Sequence, residues 1–325
     1  MQSGVDARDK RAFTPVFDRL CPGMTSESLL PMTLLTDIAR AKVNLTLRVL
    51  ARRADGYHDL ESLVVFADCA DTLTLTPGAE LSLSTEGPGA PDCGETSDNL
   101  VVRAARLLGE RIPGLTLGHF TLDKHLPVAA GIGGGSADAA AALRLLARAN
   151  NLAADDERIV TVARETGADI PVCLASKACT MTGVGENLAM LDVPPMPCVM
   201  VNPRVGVATK DVFAALGLAK GEFLAGVGDV VLSLGWPRDG ASFDQWIDAI
   251  RHGTNDLEKP ALKVEPVIGD VLSALGETGG VRLARMSGSG ATCFGIYTTD
   301  AEARAAAQVI SQAYPAWWVH AGVLS

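Results

Sequence analysis

Four of the five residues from 131 to 135 are glycine: Gly131, Gly133, Gly134 and Gly135. Ser136 follows, and after it an alanine- and leucine-rich run of helical composition. Glycine lets the backbone turn sharply and lets a ligand approach, because no Cβ stands in the way. Ser136 reads as the N-cap of the helix, whose first turn carries unpaired N–H groups and the positive end of the dipole. A glycine loop feeding a helix start is an anion site, most often for phosphate. The competing reading is a tight loop that closes a strand–helix joint. Two common phosphate loops are excluded. A Walker A motif needs a lysine after its last glycine, and a dinucleotide fingerprint starting at Gly131 needs glycine at position 136.

Three other places carry residues of reactive type. Lys42 and Asn44 lie on one side of an alternating segment, opposite Val43, Leu45, Leu47 and Val49. They read either as solvated positions at a strand start or as the floor of a cleft. Asp169 sits in an apolar stretch just before Pro171, as a helix N-cap or a functional acid. The turn from Arg52 to His58 carries Tyr57 and His58, and a solvated hairpin histidine is the plain reading there.

These residues need elements to position them. The alternation predicts a half-buried strand over 43–49, paired with a strand over 36–41, then strands over 60–66, 72–76 and 81–85. Residues 86–97 read as loop. Asp98 is expected to cap a helix over 99–108, and a strand over 120–126 delivers the chain into the glycine loop. The glycine-loop helix ends near Asn150 and Asn151, and a second helix runs over 155–166. Met181 to Glu186 reads as a hairpin turn, and Pro194 to Pro197 as a linker. Beyond it, helices are expected over 210–216, 243–251, 265–275 and 301–313. Strands are expected over 198–201, 281–285, 292–297 and 317–323, an α+β pattern. The chain therefore divides into an N-terminal extension over 1–34 with little order, a first domain over 35–193 and a second over 194–325.

Bulk properties narrow the function classes. The chain has 325 residues and a net charge of −10, so a general nucleic-acid backbone binder, which wants a basic surface, is disfavoured. The seven cysteines form no C-x-x-C pair, which fits a reducing cytoplasm and gives no zinc signature. No metal ligands are expected among the histidines. No apolar run is long enough to span a membrane, and the first 31 residues lack a signal-peptide core.

Lys42-x-Asn44, the loop from Pro127 to Ser136, and Ser287-Gly288-Ser289-Gly290-Ala291 resemble the three motifs of the GHMP kinases, in the same order. Asp55-Gly56-Tyr57-His58, Gly167-Ala168-Asp169-Ile170-Pro171 and Asn255-Asp256-Leu257-Glu258 resemble the branch acting on a cytidine-diphosphate-linked methylerythritol. The resemblance spans residues 36–325. It implies a two-domain α+β fold, with a ribosomal-protein-like N-terminal domain, a ferredoxin-like C-terminal domain and the active site in the cleft between them. It implies transfer of the γ-phosphoryl of ATP, with Mg²⁺ held mainly by the nucleotide phosphates, to the C2 hydroxyl in the non-mevalonate isoprenoid route. Lys42 and Asp169 would be the catalytic pair. Pro127, Gly131, Gly133, Gly134, Gly135 and Ser136 would wrap the phosphates, with Asn99 and Lys124 on the adenosine side. Asn44, Tyr57, His58, Thr209 and Phe213 would contact the substrate, Tyr57 and Phe213 packing on the base. Ala137 departs from the second serine of many relatives, which removes one hydroxyl from the loop. The implied partners are ATP and the small molecule, without nucleic acid or membrane, in a monomer or weak homodimer. Another kinase of the superfamily, of homoserine or mevalonate type, is the alternative, and a non-catalytic nucleotide- or RNA-binding module is the reading from a different class. Tyr57, His58 and Phe213 together discriminate, since a substrate without a nucleobase has no use for them.

Overall fold

The computed structural model describes residues 34–224, 235–238 and 240–325. Two long antiparallel strands set the frame, β1 (Leu35–Arg52) and β2 (His58–Gly78). They replace the two pairs of short strands that the sequence pattern predicts. The segments 36–41 and 43–49 are one strand, and neither pairs with the other. Asp68 and Asp71 are polar residues that mimic a break in the sequence pattern but lie within β2.

In chain order there follow β3 (Ser82–Glu86), α1 (Leu100–Arg111), β4 (Leu117–Asp123), α2 (Gly134–Ala149), α3 (Glu157–Thr166) and α4 (Ile170–Ala175). Two short 3₁₀ turns, Ala90–Asp92 and Thr96–Asp98, occupy the expected loop. Then come β5 (Cys179–Gly183), β6 (Asn187–Met190), β7 (Met196–Asn202), α5 (Thr209–Leu216), α6 (Phe243–Arg251), α7 (Glu258–Val264) and α8 (Val267–Gly276). The chain closes with β8 (Leu283–Met286), β9 (Cys293–Ile296), α9 (Asp300–Ala313) and β10 (Trp318–Leu324). The expected linker is therefore shorter than its prolines suggest, since β7 already starts at Met196. The single helix expected over 265–275 is preceded by α7, which the sequence pattern misses. The expectation for residues 1–33, and the parts of the expected second domain at 225–234 and 239, lie outside the described residues.

Among the described residues the strands join in one sheet, ordered β3-β4-β2-β10-β7-β9-β8, with β1 and β5 also on β2 and β6 on β5. Only β3 and β4 pair in parallel. Side chains alternate across a strand, so both faces of β2 are used. Val64 and Phe66 join Phe120, Leu143 and Leu146 beneath α1 and α2. Leu63, Val65 and Ala67 instead join Val43, Leu45, Met200, Trp246 and Phe294. This is why residues 41–47 are buried on both sides, not half-buried as the alternation suggests. A third cluster packs α5, α7, α8 and α9 against the ends of β1, β7 and β9.

Candidate functional site

Lys42 and Asn44 lie on the face of β1 opposite Val43 and Leu45, and that face is covered too. Lys42 is 4% exposed and Asn44 fully buried. What covers them is the glycine loop. The backbone N–H of Lys42 donates to the Ile132 carbonyl at 2.9 Å, and the N–H of Thr292 donates to the Ala130 carbonyl at 3.0 Å. The loop is thus stitched to β1 on one side and to the 287–292 turn on the other.

The approach is so close that side chains are excluded at Gly131. A Cβ there would lie 2.6 Å from the Ser287 carbonyl oxygen, and its φ of 75° is itself left-handed. Gly133, with φ 64°, is the residue from which α2 starts, and it takes the N-cap position assigned to Ser136. Ser136 sits two residues into the helix because the left-handed Gly133 turns the chain early. Ala137 is 2% exposed and packs into the core cluster under α2, so its methyl group points away from the loop.

Asp169 resolves the choice between cap and acid in an unexpected way. It occupies the N-cap position of α4, but its side chain makes no capping bond. The Lys42 Nζ donates to its Oδ2 at 2.9 Å instead. The lysine side chain is 5% exposed and the aspartate 37%, so the ammonium lies beneath a carboxylate that reaches into open space.

Ser287 binds the three motifs together. Its hydroxyl donates to the Gly131 carbonyl at 3.1 Å and accepts from the Asn44 N–H at 3.1 Å. Asn255 supports that turn, its amide donating to the carbonyls of Met286 and Gly288, each at 2.8 Å. Glu258 accepts from the Met286 N–H at 3.0 Å. The 255–258 motif is visible in the sequence, but its clamping role is not, since its partners lie some thirty residues on.

Asn99 and Lys124 line a cavity that Gly134 and Gly135 also border. Asn99, not Asp98, caps α1, its side chain accepting from the Val101 N–H at 2.9 Å. The Lys124 ammonium is buried between Asp71 and Asp138, donating to each at 2.6 Å. Burial alone would lower its pKa, but the charges of Asp138 and Asp71 outweigh that and raise it. Asp138 is pushed up to about 7 by burial, against the pull of Lys124. Asp71 also accepts from the backbone N–H groups of His125 and Leu126. Asp71 and Asp138 were missed from the sequence. A carboxylate within a strand and one within an alanine-rich helix were the available signals.

Three cavities meet here. One of about 530 Å³ is lined by Lys42, Asn44, Gly131, Gly133, Gly134, Gly135, Ser136, Asp169, Thr209 and Phe213. A second, of about 450 Å³, holds Tyr57, His58, Thr209 and Phe213, and shares Leu60, Ala168, Val184, Thr209 and Phe213 with the first. A third, of about 210 Å³, holds Asn99, Lys124 and Pro127 and shares Gly134 and Gly135 with the first. A further cavity of about 480 Å³ bounded by Arg204, Trp318 and His320 includes, of the expected site residues, Pro127 alone.

In the second cavity the His58 and Phe213 rings stack, with centroids 4.3 Å apart and planes at 21°. No base fits between those two rings, and Tyr57, 61% exposed, stands free of that stack. Burial, then Arg52, lowers the His58 pKa and so favours the neutral ring. Four buried atoms along these cavities have no hydrogen-bond partner among the described residues: Asn44 Oδ1, Arg52 Nε, His58 Nε2 and Asp138 Oδ1. Buried groups of this kind are normally satisfied, so each is a candidate for a ligand contact.

This arrangement is that of a phosphotransferase built on a glycine loop, and residue matches agree. Residues 99–177 match the GHMP kinases N terminal domain, and residues 233–316 match the GHMP kinases C terminal domain. The chain belongs to the GHMP kinase family and has its two-domain α+β fold. Within it, the chain is 69% identical over 294 residues to a protein of Rhodopseudomonas palustris (strain BisB5) named 4-diphosphocytidyl-2-C-methyl-D-erythritol kinase, covering 90% of this chain and 100% of that one. A relative of the same name from Bradyrhizobium diazoefficiens is 65% identical over 295 residues, 91% of this chain and 99% of its own. A crystal structure of 4-(cytidine 5'-diphospho)-2C-methyl-D-erythritol kinase superposes with a TM-score of 0.69 at 32% identity, covering 90% of this chain and 99% of that one. Homoserine kinase from Cytophaga hutchinsonii superposes with a TM-score of 0.65 at 17% identity, over 92% and 97% of the two chains, a likeness of fold alone.

Proposed function

We propose that this chain transfers the γ-phosphoryl of ATP to the C2 hydroxyl of 4-diphosphocytidyl-2-C-methyl-D-erythritol, giving the 2-phosphate and ADP in the non-mevalonate route to isoprenoid precursors. The observation that carries the reading is the joining of two cavities. The stacked His58–Phe213 pair and the Lys42–Asp169 pair look into spaces that share Thr209 and Phe213 as walls. A molecule with a base at one end and a reactive hydroxyl at the other fits that arrangement. Homoserine and mevalonate have no base to place there.

Phosphoryl transfer asks the protein for alignment and for neutralised charge. Gly131, Gly133, Gly134, Gly135 and Ser136, led in by Pro127, receive the ATP phosphates on backbone N–H groups at the start of α2. Asn99 and Lys124 lie towards the adenosine. The ammonium of Lys124 already serves Asp71 and Asp138, so it acts by holding the loop's floor. Asp169, with Oδ2 taken by Lys42, uses Oδ1 to orient the substrate hydroxyl and accept its proton. Lys42 balances the charge around the carboxylate. Asn44 Oδ1 accepts from a second substrate hydroxyl. His58 meets the cytosine edge as a neutral ring, Tyr57 and Phe213 pack on the base, and the Thr209 hydroxyl lies on the path between. Among the described residues no cluster of three or more His, Cys, Asp or Glu side chains is placed to hold an ion. Mg²⁺, expected with ATP, would be held mainly by the nucleotide phosphates and would neutralise their charge.

The protein is read as cytoplasmic, a monomer or weak homodimer, without nucleic-acid or membrane partners. The net charge of −10 disfavours a general nucleic-acid backbone binder. Among the described residues no helix is long and apolar enough to cross a membrane. A coupled ADP-release assay tests the function. Turnover with 4-diphosphocytidyl-2-C-methyl-D-erythritol should exceed that with homoserine or mevalonate by at least about 10³-fold in kcat/KM, the loss expected when buried polar groups go unpaired. Comparable turnover of homoserine or mevalonate would overturn the reading.

A further inference from the structure

The relatives' names place a diphosphate between the base and the reacting hydroxyl, and no residue above has been assigned to it. Given the function proposed here, that diphosphate must pass from the His58–Phe213 cavity to the Lys42–Asp169 cavity. Thr209 lies on both. It is the first residue of α5, and no side chain caps that helix. The next residue, Lys210, lines the His58–Phe213 cavity and is exposed.

Lys210 is poorly placed for stability. A cation in the first turn opposes the helix dipole, at a cost of about 0.3–1 kcal/mol. Asp211 shares the turn, but Lys210 forms no ion pair with any described residue. The other permanent cation lining the cavity is Arg52, whose Nη1 donates to the Leu218 carbonyl at 2.8 Å while its buried Nε has no partner among the described residues. An anion at the start of α5 would relieve the opposition to the dipole and pair with the lone ammonium at once.

We infer that Lys210 is a specificity-determining residue that recognises the diphosphate of the cytidine-linked substrate, together with the Thr209 hydroxyl and the uncapped N–H groups of α5. A charge-assisted contact at this position separates nucleoside diphosphates from nucleosides. It acts on the alcohol substrate and leaves the ATP site alone.

The experiment compares CDP and cytidine as competitive inhibitors of the ADP-release reaction, in the wild type and in Lys210→Ala and Lys210→Arg. The inference expects the CDP inhibition constant to rise about tenfold in Lys210→Ala, with the cytidine constant and the ATP KM unchanged within about twofold. Lys210→Arg should restore most of the CDP affinity. The salt dependence of CDP inhibition should flatten in Lys210→Ala, which a purely structural loss would not produce. Equal changes for CDP and cytidine, or no change for either, would overturn the role of Lys210. A wild type that turns over the substrate but binds CDP no better than cytidine overturns it as well. A wild type that neither turns over the substrate nor responds to cytidine overturns the functional reading instead, so the two failures are distinct.

Discussion

Lys42 and Asp169 differ in what they can touch. The lysine is enclosed under the glycine loop, whereas the aspartate keeps 37% of its side chain open. On the proposed function, a buried ammonium beside an open carboxylate makes Asp169 the proton acceptor and Lys42 its charge partner. Asp169→Asn keeps the size and one acceptor oxygen but loses the negative charge. Its kcat should fall by at least about 10²-fold, the typical scale for a lost general base, softened if the transition state is dissociative. The ATP KM should stay near the wild-type value, because no loop glycine is touched. A steady-state comparison giving nearly full turnover would remove Asp169 from the chemistry. The pairing of Lys42 with Asp169 was legible only through the family resemblance, the residues alone leaving cap and acid both open for Asp169. That its side chain leaves the cap vacant was not, because capping depends on a geometry that only the contact with Lys42 decides.

Elements carried the harder lessons. That a glycine loop leads into a helix is legible from composition alone, yet α2 starts three residues before the place a Ser136 cap implies. A serine cap is the common choice, and here the left-handed Gly133 replaced it. β2 was broken into pieces because Asp68 and Asp71 interrupt its apolar pattern. The interruption at Asp71 has a cause, as the residue anchors the strand to Lys124 and to the backbone leading into the loop. Two carboxylates on one buried ammonium leave one in surplus, and burial raises Asp138 to about 7 against an ordinary value near 3.8. The sign follows from linkage. A carboxyl held protonated by the fold contributes stability in full below pH about 3.8, and that contribution is lost as pH rises through about 7. Asp138→Asn carries no such titration. Its melting temperature relative to wild type should therefore rise by several degrees between pH 5 and pH 8. Paired thermal melts that show the same gap at both pH values would mean that Asp138 is ionised throughout.

At the scale of the whole molecule, the division at residues 193 and 194 follows the chain and not the packing. β10 returns from the C-terminal half to meet β2 at Leu324 and Ala67. Ser325 and Phe66 exchange both backbone hydrogen bonds at 2.9 Å, and Arg40 donates to the Ser325 hydroxyl at 3.0 Å. Leu324 is fully buried in a cluster that draws Val43, Val65 and Ala67 from the first half and Cys198, Trp246 and Phe294 from the second. The residues gathered at the glycine loop are divided in the same way, with Lys42, the loop itself and Asp169 before the seam and Ser287 and Asn255 after it. A shared core of this kind makes the two halves unfold together. Leu324→Ala should destabilise by about 2–5 kcal/mol, the range for emptying a buried leucine site. If the halves are one cooperative unit, calorimetry will show a single transition for the wild type, shifted down but still single in the variant. Two resolved transitions in the wild type, with only one of them moved by Leu324→Ala, would mean that each half holds itself together and that the seam merely aligns the site.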